Sequence, residues 1–229
     1  MYMILTLVLF FATCAGFLYW RYVWFFRNPE RSVPSGDNLV SPADGTVVYC
    51  KRLKPSEDVI TVKQGVSARI EDIAREHMQG PKILIGIFMS PFDVHYNRAP
   101  ISGVIEAINH YPAKTENRHM GPMHLRIVFG RSPFYRDSLH IIENERTVTR
   151  IRGSFRGHTT ECYVIQIAGK SVRGIESFVS VGEPVSKGQV FGMIRIGSQV
   201  DLVVPDPGDA TIKVKPGDKV RAGESVLIE

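Results

Sequence analysis

The first twenty residues, MYMILTLVLFFATCAGFLYW, carry no charged side chain. Each residue of a helix rises about 1.5 Å, so the run just covers a bilayer core of roughly 30 Å. Tyr19, Trp20, Tyr22 and Trp24 form an aromatic belt at its end, and Arg21, Arg27 and Arg31 follow. Positive charge after the run and none before it places the rest of the chain on the cytoplasmic side of the cell membrane. A cleaved signal peptide would need a basic segment ahead of the apolar stretch, and none is present. A monotopic anchor stays open, because the run is near the lower limit for spanning. The expected division is an anchor and juxtamembrane segment over 1–34 and a second domain over 35–229.

After Pro34 short β-branched runs alternate with Gly and Pro. They cover Gly45 to Tyr49, Lys82 to Met89, Gly103 to Ile108, His124 to Phe129, Thr147 to Ile151, Cys162 to Ala168, Gln189 to Arg195, Val200 to Val204 and Thr211 to Val214. Spacings of roughly 10–20 residues with turn signals between them predict a barrel or sandwich. One helix is expected over Ser67 to Met78, with Ser67 as N-cap, acidic Glu71 and Asp72 near its start, and Gly80-Pro81 ending it. The fold class is therefore mainly β with minor α, an α+β chain. With 229 residues, 44% of them hydrophobic, it can bury a substantial core, and disorder is excluded.

A weak internal repeat is visible. Gly182 to Gly188 and Gly217 to Gly223 share the pattern G-x-x-V-x-x-G, each before a short apolar strand. Such turns recur in lipoyl- and biotinyl-type barrels, which makes the domain a lipoyl-like hybrid β-barrel/sandwich. They speak for architecture. A carrier function would need a modifiable lysine at a hairpin tip. Lys213 and Lys215 lie nearby, but the flanking methionines are absent.

The net charge of +5 suits an anionic partner. The basic residues are scattered, with no dense tract and no aromatic-interleaved motif, so nucleic acid is not expected. Cys14, Cys50 and Cys162 are too few for a disulfide framework and too far apart for a CxxC site. They read as thiols in a reducing compartment, and no metal is expected.

Three segments carry candidate chemistry. In the first, Gly197-Ser198 interrupts two strand-like runs. Glycine there permits a strained turn that exposes its carbonyl. The Ser198 hydroxyl could attack that carbonyl and convert amide to ester. β-Elimination would then leave dehydroalanine, which hydrolyses to a pyruvoyl group. Amide resonance opposes the first step, so a base and an oxyanion stabiliser are required. In the second, Asp93, His95, Asn97 and Arg98 crowd the end of the apolar strand at Ile83 to Phe88. His95 suits general acid–base work near neutrality, against a structural histidine as the alternative. Arg98 can hold a carboxylate or phosphate bidentately. In the third, Asp44-Gly45 reads as a turn, and Asp44 could alternatively orient His95 as the carboxylate of a triad. His119 and His124 lie in a Met- and Gly-containing segment, either as a substrate-facing loop or as surface and structural histidines.

Together these segments resemble the short prokaryotic type of the phosphatidylserine decarboxylase proenzyme family. The likeness runs through Phe25-Phe26-Arg27-Asn28-Pro29-Glu30-Arg31, Ser41-Pro-Ala-Asp-Gly45 and Met89 to Arg98. It continues in Glu143-Asn-Glu-Arg146, Val164 to Gly169 and Lys187 to Ser198. The ordered set is specific although no piece is so alone. Gly197-Ser198 matches the family's self-cleavage site. The resemblance implies a proenzyme that cuts itself into a β chain of 1–197 and an α chain of 198–229, which stay associated as a heterodimer. Ser198 would become the covalent pyruvoyl cofactor. That group would decarboxylate phosphatidylserine to phosphatidylethanolamine through a Schiff base. His95 matches the family histidine near the pyruvoyl, and Asp44 the aspartate of the self-cleavage triad.

One departure stands out. Longer members carry a second histidine three residues after the first, with the base role in self-cleavage; this chain has Arg98 there. Arginine is no base at pH 7, so either His95 serves both steps or another group activates Ser198. The expected partners are an anionic phospholipid substrate, the membrane surface and the chain's own two fragments, with a higher oligomer left open. Three other readings remain: the same reaction on archaetidylserine, an inactive or uncleaved homologue, which Arg98 raises, and a membrane-anchored lipoyl-like adaptor without catalysis. The adaptor usually carries a long heptad hairpin in its barrel, and none is visible here.

Overall fold

The computed structural model describes residues 2–54, 57, 59–63, 65–170, 174–195 and 197–229. Helix α1 (Tyr2–Tyr19) runs on into a π-helical turn at Trp20–Trp24. Then follow β1 (Leu39–Val40), β2 (Gly45–Leu53), β3 (Ile60–Lys63), β4 (Val66–Ala68), α2 (Ile70–Ala74), β5 (Lys82–Met89), β6 (Tyr96–Arg98) and β7 (Gly103–Tyr111). Next come α3 (Gly121–Val128), α4 (His140–Glu143), β8 (Arg146–Phe155), β9 (His158–Ala168) and β10 (Ile175–Ser177). The chain ends with β11 (Pro184–Val185), β12 (Val190–Ile194), β13 (Ser198–Pro205), β14 (Lys219–Val220) and β15 (Val226–Ile228).

An eight-stranded antiparallel sheet, in the order β11-β7-β8-β9-β13-β5-β2-β14, curls into a half-barrel. The mainly β architecture with an N-terminal apolar helix is as expected. Both faces of the sheet are covered. Val200, Leu202 and Val204 of β13 enter one core with Ile83, Ile85 and Ile87 of β5. Val203 enters the other, with Leu84, Phe88 and the residues of α2 and α3. Cover on both sides explains why β5 is a continuous apolar run rather than an alternating one. Three small sheets, β10-β12-β6, β1-β15 and β3-β4, accompany the eight-stranded one among the described residues.

The glycine repeat marks an approximate twofold relation between the two halves of this sheet, which meet at β9–β13. The Gly182 and Gly217 amides donate to the carbonyls of Ile105 and Val47, both at 2.8 Å. The Gly188 and Gly223 amides donate to Ala99 and Ser41, again at 2.8 Å. Val185 lies on edge strand β11 and Val220 on edge strand β14. Even the crossing contacts match: the Arg98 amide donates to the Pro42 carbonyl and the Val40 amide to that of Pro100.

Three expectations need correction. His124 to Phe129 is not a strand: residues up to Val128 belong to α3. Pro122 sits in its first turn, and Met120, Met123 and Ile127 fall at helical spacing against the core. The helix expected from Ser67 to Met78 shrinks to Ile70–Ala74, because Ser67 is claimed by the β3–β4 hairpin and Arg75 turns left-handed at φ 56°. Thr211 to Val214 forms only an isolated bridge, Ile212 to Ile228.

Among the described residues, Tyr2–Trp24 is the one helix long and apolar enough to cross a membrane, and none of it is buried in the protein. Water would make that exposure costly, whereas lipid does not. The segment after it is tied down. Phe25 is fully buried, and Arg31 pairs with Asp44 at 2.9 Å.

Candidate active site

Ser198 is the first residue of β13, between Met89 of β5 and Ala168 of β9. Its side chain is buried, with Oγ 3.5 Å from Met89 Sδ. Gly197 before it lies at φ +69°, a region that glycine enters without penalty. Its carbonyl oxygen points at Gly169 so closely that a Cβ built there would sit 2.2 Å from it. Backbone thus approaches backbone at position 169, where only a glycine fits, while at 197 it is the left-handed φ that favours one.

A cavity of about 150 Å³ opens on Gly197, lined by Phe88, Pro91, His119, Met120, His124 and Lys170 among others. Asn144 brings its far wall into place. The buried Asn144 amide donates to the Ala168 carbonyl at 2.7 Å and to the Arg118 carbonyl at 3.0 Å. Its Oδ1 accepts from the Arg118 amide at 2.8 Å. The end of β9 and the loop entering α3 are therefore clamped by one side chain. His119 and His124 both line this cavity, and the His124 ring lies 5.7 Å from that of Phe88.

His95 is fully buried on the strand layer formed by β6 and β12, with its ring centroid 4.3 Å from that of Phe25. Its Nδ1 meets the Asp93 carbonyl at 2.9 Å. A carbonyl only accepts, so the ring proton belongs on Nδ1 and Nε2 keeps its lone pair. That Nε2 is buried and has no hydrogen-bond partner among the described residues. Burial depresses the imidazole pKa to about 4, outweighing the stabilising Asp93 carbonyl. At neutral pH His95 is an uncharged ring with a bare, buried acceptor.

Asp44 and Arg98 are engaged elsewhere. The Asp44 carboxylate binds Arg31 through both oxygens, at 3.0 and 2.9 Å, and accepts the Ala222 amide at 2.7 Å. The group that meets the His95 ring is the Asp93 carbonyl, while the Asp44 carboxylate is taken up by Arg31 and Ala222. Across the approximate twofold, Ser102 takes the same place, its Oγ accepting the Lys187 amide at 2.9 Å. Arg98 donates to the carbonyls of Gly188 and Pro29 and to Asn28 Oδ1, at 2.8, 3.2 and 2.6 Å. It fastens the juxtamembrane segment to the barrel and does not line the pocket at Gly197.

Beside the site runs a buried polar chain. Gln199, on the opposite face of β13 from Ser198, bonds His140, Tyr49 and Asp201 at 3.1, 2.7 and 2.8 Å. Burial raises Asp201 to about 6 and lowers His140 to about 4. Gly169, Asn144 and Lys170 drew no role from sequence reasoning. Each matters through a contact made far along the chain, and no local pattern marks it.

The family model for phosphatidylserine decarboxylase matches residues 18–228. A phosphatidylserine decarboxylase proenzyme of Saccharopolyspora erythraea is similar, 32% identical over 207 residues that cover 90% of this chain and 72% of that protein. A protein of Methanocaldococcus jannaschii, provisionally named an archaetidylserine decarboxylase proenzyme, is 34% identical over 221 residues, 95% of this chain and 94% of its own. A phosphatidylserine decarboxylase proenzyme of Geobacter metallireducens is 32% identical over 219 residues, 95% and 81% of the two chains.

Proposed function

This chain belongs to the phosphatidylserine decarboxylase family, and we propose that it cuts itself between Gly197 and Ser198 and then decarboxylates phosphatidylserine to phosphatidylethanolamine. The observation that carries this reading is the Gly197 turn: a left-handed glycine whose carbonyl is cradled by Gly169 and opens on a pocket.

In the cut, Ser198 Oγ adds to the Gly197 carbonyl carbon and the amide bond becomes an ester. Elimination frees the 1–197 chain with its carboxylate, water replaces the nitrogen, and ammonia leaves. The residues present fit the product. Position 198 starts a buried strand beside the cavity. His95 does not line that cavity, and its buried Nε2, without a partner among the described residues, is the proton acceptor this reading assigns to the reaction. When formed, a pyruvoyl group supplies a carbonyl that condenses with the substrate amine and draws electrons as carbon dioxide departs.

His95 moves the proton in this reading. Neutral at pH 7, it can take one at Nε2. Protonated, it is an acid of pKa about 4 that gives the proton up readily to the carbon left by decarboxylation. Arg98, held by three protein oxygens, is no base, which leaves His95 to serve both steps. Asp44 acts by position. It lies in the 1–197 chain and grips the Ala222 amide of the 198–229 chain, so it helps hold the cut product together. The fold does more of that work: β13, β14 and β15 of the short fragment each pair with strands of the long one. Arg21 and Arg27 beyond the apolar helix put this domain on the cytoplasmic side.

Archaetidylserine presents the same headgroup, and the M. jannaschii relative carries its name. The lipid tails lie away from the reacting carbon, so both lipids are tested together.

Denaturing intact-mass analysis of the full-length protein is the test. Two fragments split at 197/198, the shorter one reactive toward ketone reagents, and differing in total from the precursor by water gained and ammonia lost, establish the pyruvoyl enzyme. Simple proteolysis would add a whole water and leave an ordinary amino terminus. A single intact chain overturns the reading. Ser198→Ala is expected to stay one chain and to release no carbon dioxide from either lipid.

A further inference from the structure

Helix α3 is apolar on both sides. Met120, Met123 and Ile127 face the core. On the outer side Leu125, Val128 and Phe129 are 59, 63 and 65% exposed, at positions i, i+3 and i+4 of one stripe. A helix at a water surface has a polar outer face, and here it is missing. The stripe is framed by mostly positive charge: residues 114–137 contain Lys114, Arg118, Arg126, Arg131 and Arg136 against Glu116 and Asp137, the latter 3.6 Å from Arg126. The Arg131 guanidinium lies over the Phe129 ring at 5.5 Å.

The same helix forms one wall of the Gly197 pocket through Met120, Gly121 and His124, and Pro91 stands among the other lining residues. Next to Pro91, Phe92 is exposed, and its ring lies 6.2 Å from that of Trp20 at the foot of the apolar helix. Arg27 binds the Phe92 carbonyl at 2.6 Å. The pocket thus lies between the foot of the membrane helix and a second apolar surface.

We propose that the outer stripe of α3 is a second membrane contact, which inserts Leu125, Val128 and Phe129 into the interface of an anionic phospholipid bilayer. Continuity with the foot of α1 and the basic frame select that occupant. The contact sets the pocket mouth against the leaflet, so that a serine headgroup enters without its tails crossing water. That last consequence rests on the activity proposed above.

The test uses the full-length chain reconstituted in phosphatidylcholine vesicles containing phosphatidylglycerol. A benzophenone amino acid replacing Phe129 should photo-cross-link to phospholipid, seen as a lipid-sized mass increase on the longer fragment or on the uncut chain. The same probe at exposed Pro216 should give little. A Leu125→Ser/Phe129→Ser variant should turn over dispersed short-chain phosphatidylserine at the parental rate and lose about tenfold on vesicle-embedded substrate. No lipid adduct at 129 above the level at 216, or unchanged turnover on vesicles, overturns the second contact. An equal loss on both substrates overturns it too, since α3 would then act on the pocket itself. A chain that stays uncut and inactive removes the proposed activity, while the cross-link still decides the docking.

Discussion

At position 169 there is room for a hydrogen and nothing larger. The Gly197 carbonyl occupies the place of a side chain, and that carbonyl is the one the proposed cut attacks. Gly169→Ala would force the two backbones apart, an overpacking cost of about 1–3 kcal/mol. The fraction of chain cut after a fixed time should fall by roughly tenfold or more, read by intact mass. Cleavage at the parental rate would mean that the carbonyl leaves this contact before reacting. His95 is the other residue whose value lies in one atom. Its alanine variant should lose decarboxylation, and a processed His95→Ala protein with full turnover would remove it from the mechanism. Neither Gly169 nor the bare Nε2 is visible in the sequence, because one depends on a backbone 28 positions away and the other on the absence of a partner in the folded interior.

Among the elements, the clamp at Asn144 and the helix α3 that it positions show where pattern reading fails. The run His124 to Phe129 is apolar enough for a strand. What makes it a helix is that Met120 and Met123 before it reach the core at helical spacing, and that its own outer residues need no alternation if they face lipid. Asn144→Ala removes three hydrogen bonds and leaves the Ala168 carbonyl without that partner. It should cost on the order of 2–3 kcal/mol, lowering the melting temperature in detergent micelles, and it should slow turnover by freeing the His119 to Gly121 wall. A variant with an unchanged melt and unchanged turnover would show that the loop is held by other contacts. The nearby Arg146 is fully buried and donates to the carbonyls of Asn144, Asp72, Ile73 and Ile141, so it joins α2 and α4 to the sheet. Burial lowers it to about 10, which still leaves it charged at neutral pH.

For the whole molecule, buried titratable groups set the response to acid. His95 and His140 are depressed to about 4 when folded, against an ordinary 6.5, so unfolding takes up two protons as pH falls through that window. Asp201 opposes them: raised to about 6 from 3.8, it is protonated first in the folded state. From these three groups, unfolding binds a net of about one proton between roughly pH 4 and 6, and stability should fall by about 1.4 kcal/mol per pH unit on acidification. Asp201→Asn removes the opposing group and should make that decline about twice as steep in thermal melts run across the range. A slope that is flat in the parent, or the same in both, would mean that these groups are hydrated or paired differently in solution.

Much of the architecture is local information, and the sequence alone determined it. The uncharged run to Trp20 specifies a helix long and apolar enough to cross a membrane. Lys82 to Met89 is read to the residue, because an apolar run bounded by Gly80-Pro81 and Ser90-Pro91 has one way to be buried. The two G-x-x-V-x-x-G turns point to a lipoyl-like β architecture, since turn chemistry is set within seven residues. Only the tertiary structure shows which groups line the cavity at Gly197 and which partners the other polar groups take. Asp44 and Arg98 carry suitable chemistry, but Ala222 and Arg31 claim the one, and Asn28, Pro29 and Gly188 the other. Among the described residues, nothing packed against His95 offers its Nε2 a partner. Competition for hydrogen bonds among distant groups is settled by packing, and that is why roles, unlike strands, needed the fold.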